Sequence, residues 1–104
     1  MKIIKKGAMP DGTNIQIEDW SEDYPGTYAR AETLAAYPVA TKTHWRDTGS
    51  CNIAYPRERE RFRASFNLGS EDAANSAFAA LLAGEAKLKD FAEKMHDPQY
   101  SECL

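Results

Sequence analysis

Residues 59–82 read RERFRASFNLGSEDAANSAFAALL, and this stretch decides the fold. Over 59–68, the even positions from Phe62 to Leu68 are apolar, while the odd positions from Arg59 to Asn67 are polar. Alternation with a period of two is typical of a strand that buries one face. The sequence therefore predicts a strand over 59–68 with its apolar side chains toward a core.

The second half of this stretch changes to helical periodicity. Gly69 ends the strand, Ser70 is a favourable N-cap, and Glu71 and Asp72 complement the helix dipole in the first turn. The apolar residues that recur at helical spacing are Ala74, Phe78, Leu81 and Leu82. Gly84 is expected to end this helix, and a second helical stretch is predicted over 85–95.

Upstream of this stretch, the chain carries the pattern of a β-hairpin. The turn residues Pro10-Asp11-Gly12 follow the apolar pair Ile3-Ile4, and Ile15 and Ile17 alternate with polar residues after the turn. A third strand is expected over 33–37, although the alanines between 28 and 39 also favour a helix. Residues 40–58 are rich in turn-forming residues and are interpreted as a long loop.

Together these patterns predict a single α+β domain over 1–104. The expected architecture is a small, mostly antiparallel sheet of three to four strands in the order β-β-β-β-α-α, with the C-terminal helices packed on one face. Residues 1–68 are mainly β, residues 69–96 are helical, and residues 97–104 are expected to form a frayed tail.

Composition narrows the class of protein further. The chain has 104 residues, of which 42% are hydrophobic, and its net charge is −3. These values are those of one globular domain and exclude a globally basic nucleic-acid binder. Residues 42–63 are nevertheless net positive between two acidic flanks. The absence of a signal-peptide pattern or a long apolar run, together with only two cysteines, predicts a cytoplasmic protein without membrane contact.

The strongest candidate for a binding surface is a row of arginines on the polar side of the predicted strand. Alternate positions on a strand lie about 6–7 Å apart, so guanidinium groups at this spacing can bind phosphates or carboxylates of a partner. The candidate partner- or anion-binding residues are Lys42, Trp45, Arg46, Tyr55, Arg57, Arg59, Arg61 and Arg63. The alternative is that the arginines are solvated or paired internally with cross-strand acids such as Glu18 or Glu32.

No residue pattern identifies a catalytic or metal centre. His44 precedes Cys51 by seven residues and His96 precedes Cys103 by seven, which is wider than the ligand spacing of structural zinc sites. No glycine-rich loop that could hold a phosphate is present in the sequence. We therefore predict no catalytic residue, no metal and no cofactor.

The sequence is compatible with three functions. The first is a small non-enzymatic binding module, with a protein-interaction, inhibitory or regulatory role of the kind found in accessory proteins of phages and mobile elements. The alternatives are a nucleic-acid-binding domain using the arginine row and, last, a small enzyme with a His/Cys site. The expected partner is another protein, with nucleic acid as an alternative. The acidic C-terminal helices are a second possible docking face, and an edge strand could pair two copies into a homodimer.

Overall fold

A computed structural model of the chain describes residues 1–23, 31–38, 63–96 and 104. Within these residues, four strands form one antiparallel sheet, and a helix and a 3-10 helix follow them along the chain. The elements are β1 (Lys2–Ala8), β2 (Asn14–Asp19), β3 (Thr33–Tyr37), β4 (Ala64–Asn67), α1 (Glu71–Leu82) and the 3-10 helix (Leu88–Lys94). The predicted α+β fold class and the predicted element order are confirmed.

The sheet is a meander in which each strand pairs with the next one in sequence, in the spatial order β1-β2-β3-β4. Its first connection is the predicted turn. The backbone N–H of Gly12 donates to the Met9 carbonyl at 2.9 Å, and Gly12 has φ +92°. The Asp11 carboxylate accepts a hydrogen bond from the Thr13 N–H at 2.9 Å. Each residue type thus fills the turn position that its backbone chemistry favours.

Register between the strands follows the apolar pattern. Ile17 lies opposite Leu34 and Ile15 lies opposite Ala36, while Phe66 lies opposite Leu34 on the next strand. All five side chains are therefore on one face of the sheet, and all are buried. This face packs against α1, which presents its buried residues Ala74, Ala77, Phe78 and Leu81.

The described part of the predicted strand over 59–68 is shorter than its sequence pattern. Ala64 and Phe66 are buried on the core face as predicted, but the strand begins at Ala64 and ends at Asn67. Leu68 lies beyond β4 and is only partly buried against the core, and its N–H donates to the Glu32 carbonyl at 3.0 Å. Residues 59–62 lie outside the described residues.

Both ends of α1 are capped as the sequence indicates. The Ser70 hydroxyl accepts a hydrogen bond from the Ala73 N–H at 3.1 Å. At the other end, the Glu85 N–H donates to the Ala80 carbonyl and the Gly84 N–H donates to the Leu81 carbonyl, with Gly84 at φ +75°. This pair of bonds is a Schellman motif, which a glycine with positive φ favours.

The second helical stretch differs from the expectation of an α-helix over 85–95. It is a 3-10 helix over Leu88–Lys94 with a kink at Phe91. Its buried residue Leu88 and its half-buried residue Phe91 are three positions apart, which matches three residues per turn. Leu88 joins the same core as α1, so the helices cover one face of the sheet as predicted.

The loop predicted over 40–58 and residues 97–103 of the predicted tail lie outside the described residues. Leu104 is described, and it packs against the core. No helix in the described ranges is long and apolar enough to cross a membrane.

Gly7 is the point where the C-terminal turn of α1 lies closest to β1. A Cβ on Gly7 would lie 2.6 Å from Leu82 Cδ1 and 3.0 Å from Phe78 Cζ. Leu82 belongs to the predicted apolar stripe of α1, but it is 42% exposed and lies beside Gly7, while Ala77 takes part in the core.

We expect the variant Gly7→Val to lower the free energy of unfolding by about 1–3 kcal/mol, because its branched side chain would displace Phe78 from the core. Urea denaturation measures this loss. The second change Leu82→Ala removes the nearest obstructing atoms, so it should recover part of the loss when combined with Gly7→Val. Equal or higher stability of Gly7→Val would show that α1 does not pack closely on β1.

Candidate functional site

The face of the sheet opposite α1 carries a buried carboxylate. Glu18 lies on the side of β2 opposite Ile15 and Ile17, and its side chain has no solvent exposure. The Arg63 guanidinium binds it in a bidentate manner, with NH2 donating to Oε1 at 2.5 Å and NH1 donating to Oε2 at 2.9 Å. Two parallel N–H···O bonds of this kind form the strongest type of side-chain pair.

Two further side chains donate to the same carboxylate. Trp20 Nε1 donates to Oε1 at 3.0 Å, and Gln16 Nε2 donates to Oε2. Burial alone raises the pKa of Glu18, but the hydrogen bonds from Arg63, Gln16 and Trp20 and the charge of Arg63 outweigh burial. The pKa of Glu18 therefore lies below its ordinary value, and the group is a carboxylate at neutral pH.

Arg63 connects three strands of the sheet. Besides Glu18 on β2, its NH1 donates to the Tyr37 hydroxyl at the end of β3 at 2.8 Å, and its NH2 makes a longer contact of 3.4 Å with Ser65 Oγ on β4. Its guanidinium carbon also lies 5.8 Å from the centroid of the Tyr37 ring. The hydrogen bonds to Glu18 raise the pKa of Arg63, so its positive charge is permanent.

Arg63 is the one member of the predicted arginine row that lies among the described residues. Arg63 forms the internal cross-strand pair with Glu18 that the strand pattern also indicated, and its bonded donors face the protein itself. The other seven candidate residues, Lys42, Trp45, Arg46, Tyr55, Arg57, Arg59 and Arg61, lie outside the described residues. Their role in binding remains a prediction.

Asp19 at the end of β2 and Asp23 after it also have internal partners. The Asp19 carboxylate accepts a hydrogen bond from the Ser21 N–H at 2.8 Å, and Asp23 lies 2.5 Å from the amino group of Met1. Each contact stabilises the turn that follows β2. Among the described residues, no group of three or more His, Cys, Asp or Glu side chains could hold a metal ion. His44, Cys51 and Cys103 lie outside these residues.

A second feature, for which the sequence pattern gives no specific signal, is the outer edge of β1. Among the described strands, β1 pairs only with β2, and all of its residues except the half-exposed Gly7 are exposed. Its register with β2 shifts between Ile3 and Lys5, so Ile4 forms a β-bulge. An edge strand presents unpaired backbone N–H and C=O groups on which another strand can form hydrogen bonds.

The exposed large apolar side chains of the described residues gather around this edge. Met1 is 48% exposed, Ile3 is 40% exposed and Ile4 is 45% exposed. The fourth member of this set, Leu82, overlies Gly7 at the same edge. Single exposed apolar residues are ordinary on protein surfaces, but a group beside an open strand is typical of an interaction site.

The opposite edge of the sheet is covered in part. The chain returns after the 3-10 helix so that Met95 forms a β-bridge with Phe66, and the His96 N–H donates to the Ser65 carbonyl at 2.7 Å. Beside it, a groove of about 420 Å³ lies between α1 and the 3-10 helix, with Leu68, Ala77 and Phe91 among its lining residues. The β1 edge therefore differs from the β4 edge in its accessibility.

Comparisons with known proteins do not indicate a function, so the functional proposal rests on the structural features above. The chain matches no protein-family model, no curated protein and no solved structure.

We expect Arg63→Met to lower the free energy of unfolding by about 2–4 kcal/mol, because it leaves Glu18 as a buried charge without its counter-ion. The double variant Glu18→Gln/Arg63→Met has no such charge and should lose at least about 1 kcal/mol less than Arg63→Met alone. Urea denaturation of the three proteins measures the difference. A double variant whose loss equals or exceeds that of Arg63→Met would contradict a buried ion pair.

The lowered pKa of Glu18 also predicts how stability depends on pH. The unfolded chain binds a proton at Glu18 near pH 4.3, whereas the folded chain binds it only at lower pH. The stabilisation by Glu18 is thus present above the ordinary carboxyl pKa and is lost as the pH falls through the folded value. In Glu18→Gln the decrease in unfolding free energy below about pH 5 should be shallower than in the wild type.

The matched control is Glu93→Gln, which removes an exposed carboxylate that forms no ion pair with another described residue. Its unfolding free energy should follow the wild-type curve below about pH 5. If Glu18→Gln and Glu93→Gln give the same curve, Glu18 does not contribute to acid stability.

Proposed function

We propose that this protein is a small non-enzymatic binding module, which takes an extended segment of a protein partner along the open edge of β1. The observation that carries this proposal is that the exposed Ile3 and Ile4, together with Leu82, lie at a strand edge with no partner among the described strands. Backbone hydrogen bonds along β1 would provide affinity, and the exposed apolar side chains would add buried area.

Burial of apolar surface favours the addition of such a segment to β1. Burying apolar surface contributes about 25 cal/mol per Å², so covering three partly exposed aliphatic side chains offsets part of the entropy cost of ordering a peptide. The scaffold itself changes little, because β1 is already held in register by β2 and by the contact of Gly7 with α1. A preformed edge therefore requires ordering of the incoming segment only.

The polar cluster around Glu18 supports the same function indirectly. Its carboxylate is buried and accepts four hydrogen bonds, and its lowered pKa does not suit a general base that must exchange protons near neutral pH. The cluster joins β2, β3 and β4 into a rigid unit on which β1 is the accessible strand. An inhibitory or regulatory role, as in small accessory proteins of phages and mobile elements, is the form of this function that we favour.

The test uses selection of peptides from a displayed random library whose members are long enough to span β1. Clones that bind the immobilised wild-type protein should lose binding to Ile4→Pro. Proline removes the backbone donor of Ile4, the bulge position that has no partner in the β2 register. Urea denaturation of the variant checks that the fold is retained.

The control variant is Ile4→Ala, which keeps the backbone donor and shortens the side chain. Selected peptides should bind this variant more weakly than the wild type but more tightly than Ile4→Pro. Amide chemical shifts of the bound protein locate the peptide. No enrichment over the naked matrix, or binding in the groove between α1 and the 3-10 helix that is unaffected by Ile4→Pro, would refute the proposed site.

A further inference from the structure

The β1 edge is basic although the chain as a whole is acidic. Three of the seven residues of β1 are lysines, whereas the net charge of the protein is −3. Lys2 lies opposite Asp19 in the register, but Lys5 lies opposite Ile17 and Lys6 lies opposite Gln16. No lysine of β1 forms an ion pair with any of the residues that the structure describes.

The two central lysines extend to opposite faces of the sheet. Lys5 shares the face of Ile17, and its Nζ lies 5.4 Å from the centroid of the Phe78 ring on α1. Lys6 shares the face of Gln16, on the side of the Glu18 cluster. A strand added to β1 would thus meet a positive charge on each of its faces at two consecutive positions.

This charge distribution disfavours a second copy of the chain as the occupant. In the antiparallel two-fold register that pairs all seven residues of β1, Lys5 lies opposite its own symmetry mate. Like charges directly opposite each other in a sheet are destabilising, and lysines on an edge strand are a known protection against self-association. The same lysines attract a strand of opposite charge, so they select the partner.

The residues next to the lysines determine which other residue types a partner strand would present. Ile3 and Ile4 are both exposed and precede Lys5 directly. An antiparallel partner therefore presents two consecutive acidic residues followed by two apolar residues, read from its N-terminus. On the α1 side, Leu82 lies beside Gly7, so it adjoins the partner residue that precedes the acidic pair.

We propose that the partner of the β1 edge is an acidic extended segment of another protein, in which two adjacent Asp or Glu residues are followed by two aliphatic residues. This inference rests on the proposed function and specifies the chemistry of its ligand. The lysines of β1 select the partner and determine the register, while the backbone of β1 forms the hydrogen bonds.

The experiment is a titration of the isotope-labelled full chain with three synthetic peptides, followed by amide chemical shifts. The first peptide is Ser-Thr-Glu-Glu-Val-Val-Thr-Ser, the second replaces both Glu with Lys, and the third replaces both with Gln. We expect the Glu peptide to shift amides of β1 and to bind at least about tenfold more tightly than either of the others. Its affinity should fall when the ionic strength rises from about 50 mM to about 300 mM.

A pair of charge-matched variants separates local charge from net charge. Lys5→Glu/Lys6→Glu should abolish binding of the Glu peptide, whereas Lys87→Glu/Lys89→Glu changes the net charge equally at exposed positions outside β1 and should leave most of the affinity intact. Urea denaturation confirms that both variants are folded. The Lys peptide should bind the Lys5→Glu/Lys6→Glu variant better than it binds the wild type.

The outcomes distinguish this inference from the proposed function. If the library selection yields β1-dependent peptides that are neutral or basic, or if the Gln peptide binds as well as the Glu peptide, the acidic partner is excluded while the binding module stands. Concentration-dependent dimerisation that Ile4→Pro abolishes would identify a second copy as the occupant and would also exclude the acidic partner. If neither the library nor any of the three peptides binds at β1, the proposed function fails with it.

Discussion

The constraint on which the rest of the structure depends is the register of β2. Ile17 and Glu18 are adjacent, and both are buried, but on opposite faces of the sheet. A slip of one residue would place the carboxylate in the apolar core against α1 and the isoleucine among the donors of Arg63, Gln16 and Trp20. Both errors are costly, since one buries an unpaired charge and the other leaves buried donors without an acceptor. The positions of β1 and β3 follow from this strand.

The two faces of the sheet are held by different forces. On one face, aliphatic side chains of three strands pack against α1, and burial of apolar surface is the main stabilising contribution. On the other, Arg63 joins Glu18, Tyr37 and Ser65 on three consecutive strands by directional bonds. Apolar packing tolerates small shifts between strands, whereas a bidentate ion pair does not. We infer that the polar face contributes to the alignment of the strands as well as to stability.

Much of this fold could be predicted from local sequence chemistry, whereas features that depend on pairing between distant residues could not. The turn at Gly12, the strand Thr33–Tyr37 and the cap at Ser70 were predicted, because each depends on residues close in sequence. The 3-10 helix was expected as an α-helix, since apolar spacings of three and four residues do not separate the two. Glu18 and Arg63 are 45 residues apart, so the sequence indicated internal pairing of the arginines with acids such as Glu18 or Glu32 without selecting this pair. The seven other predicted site residues lie outside the described residues.

The order of strands explains why β1 is the more accessible of the two edges of the sheet. A four-stranded meander has two edges, and the chain that leaves β4 forms α1 and the 3-10 helix before it returns to bond β4 through Met95 and His96. Among the described strands, β1 pairs on one side only, with β2. Its bulge at Ile4 and its lysines limit indiscriminate pairing, and they do so without closing the edge. An edge protected by charge rather than by a covering element stays open to a segment of opposite charge. The lysines that disfavour pairing of two copies of β1 are therefore the same groups that would give the edge its partner specificity.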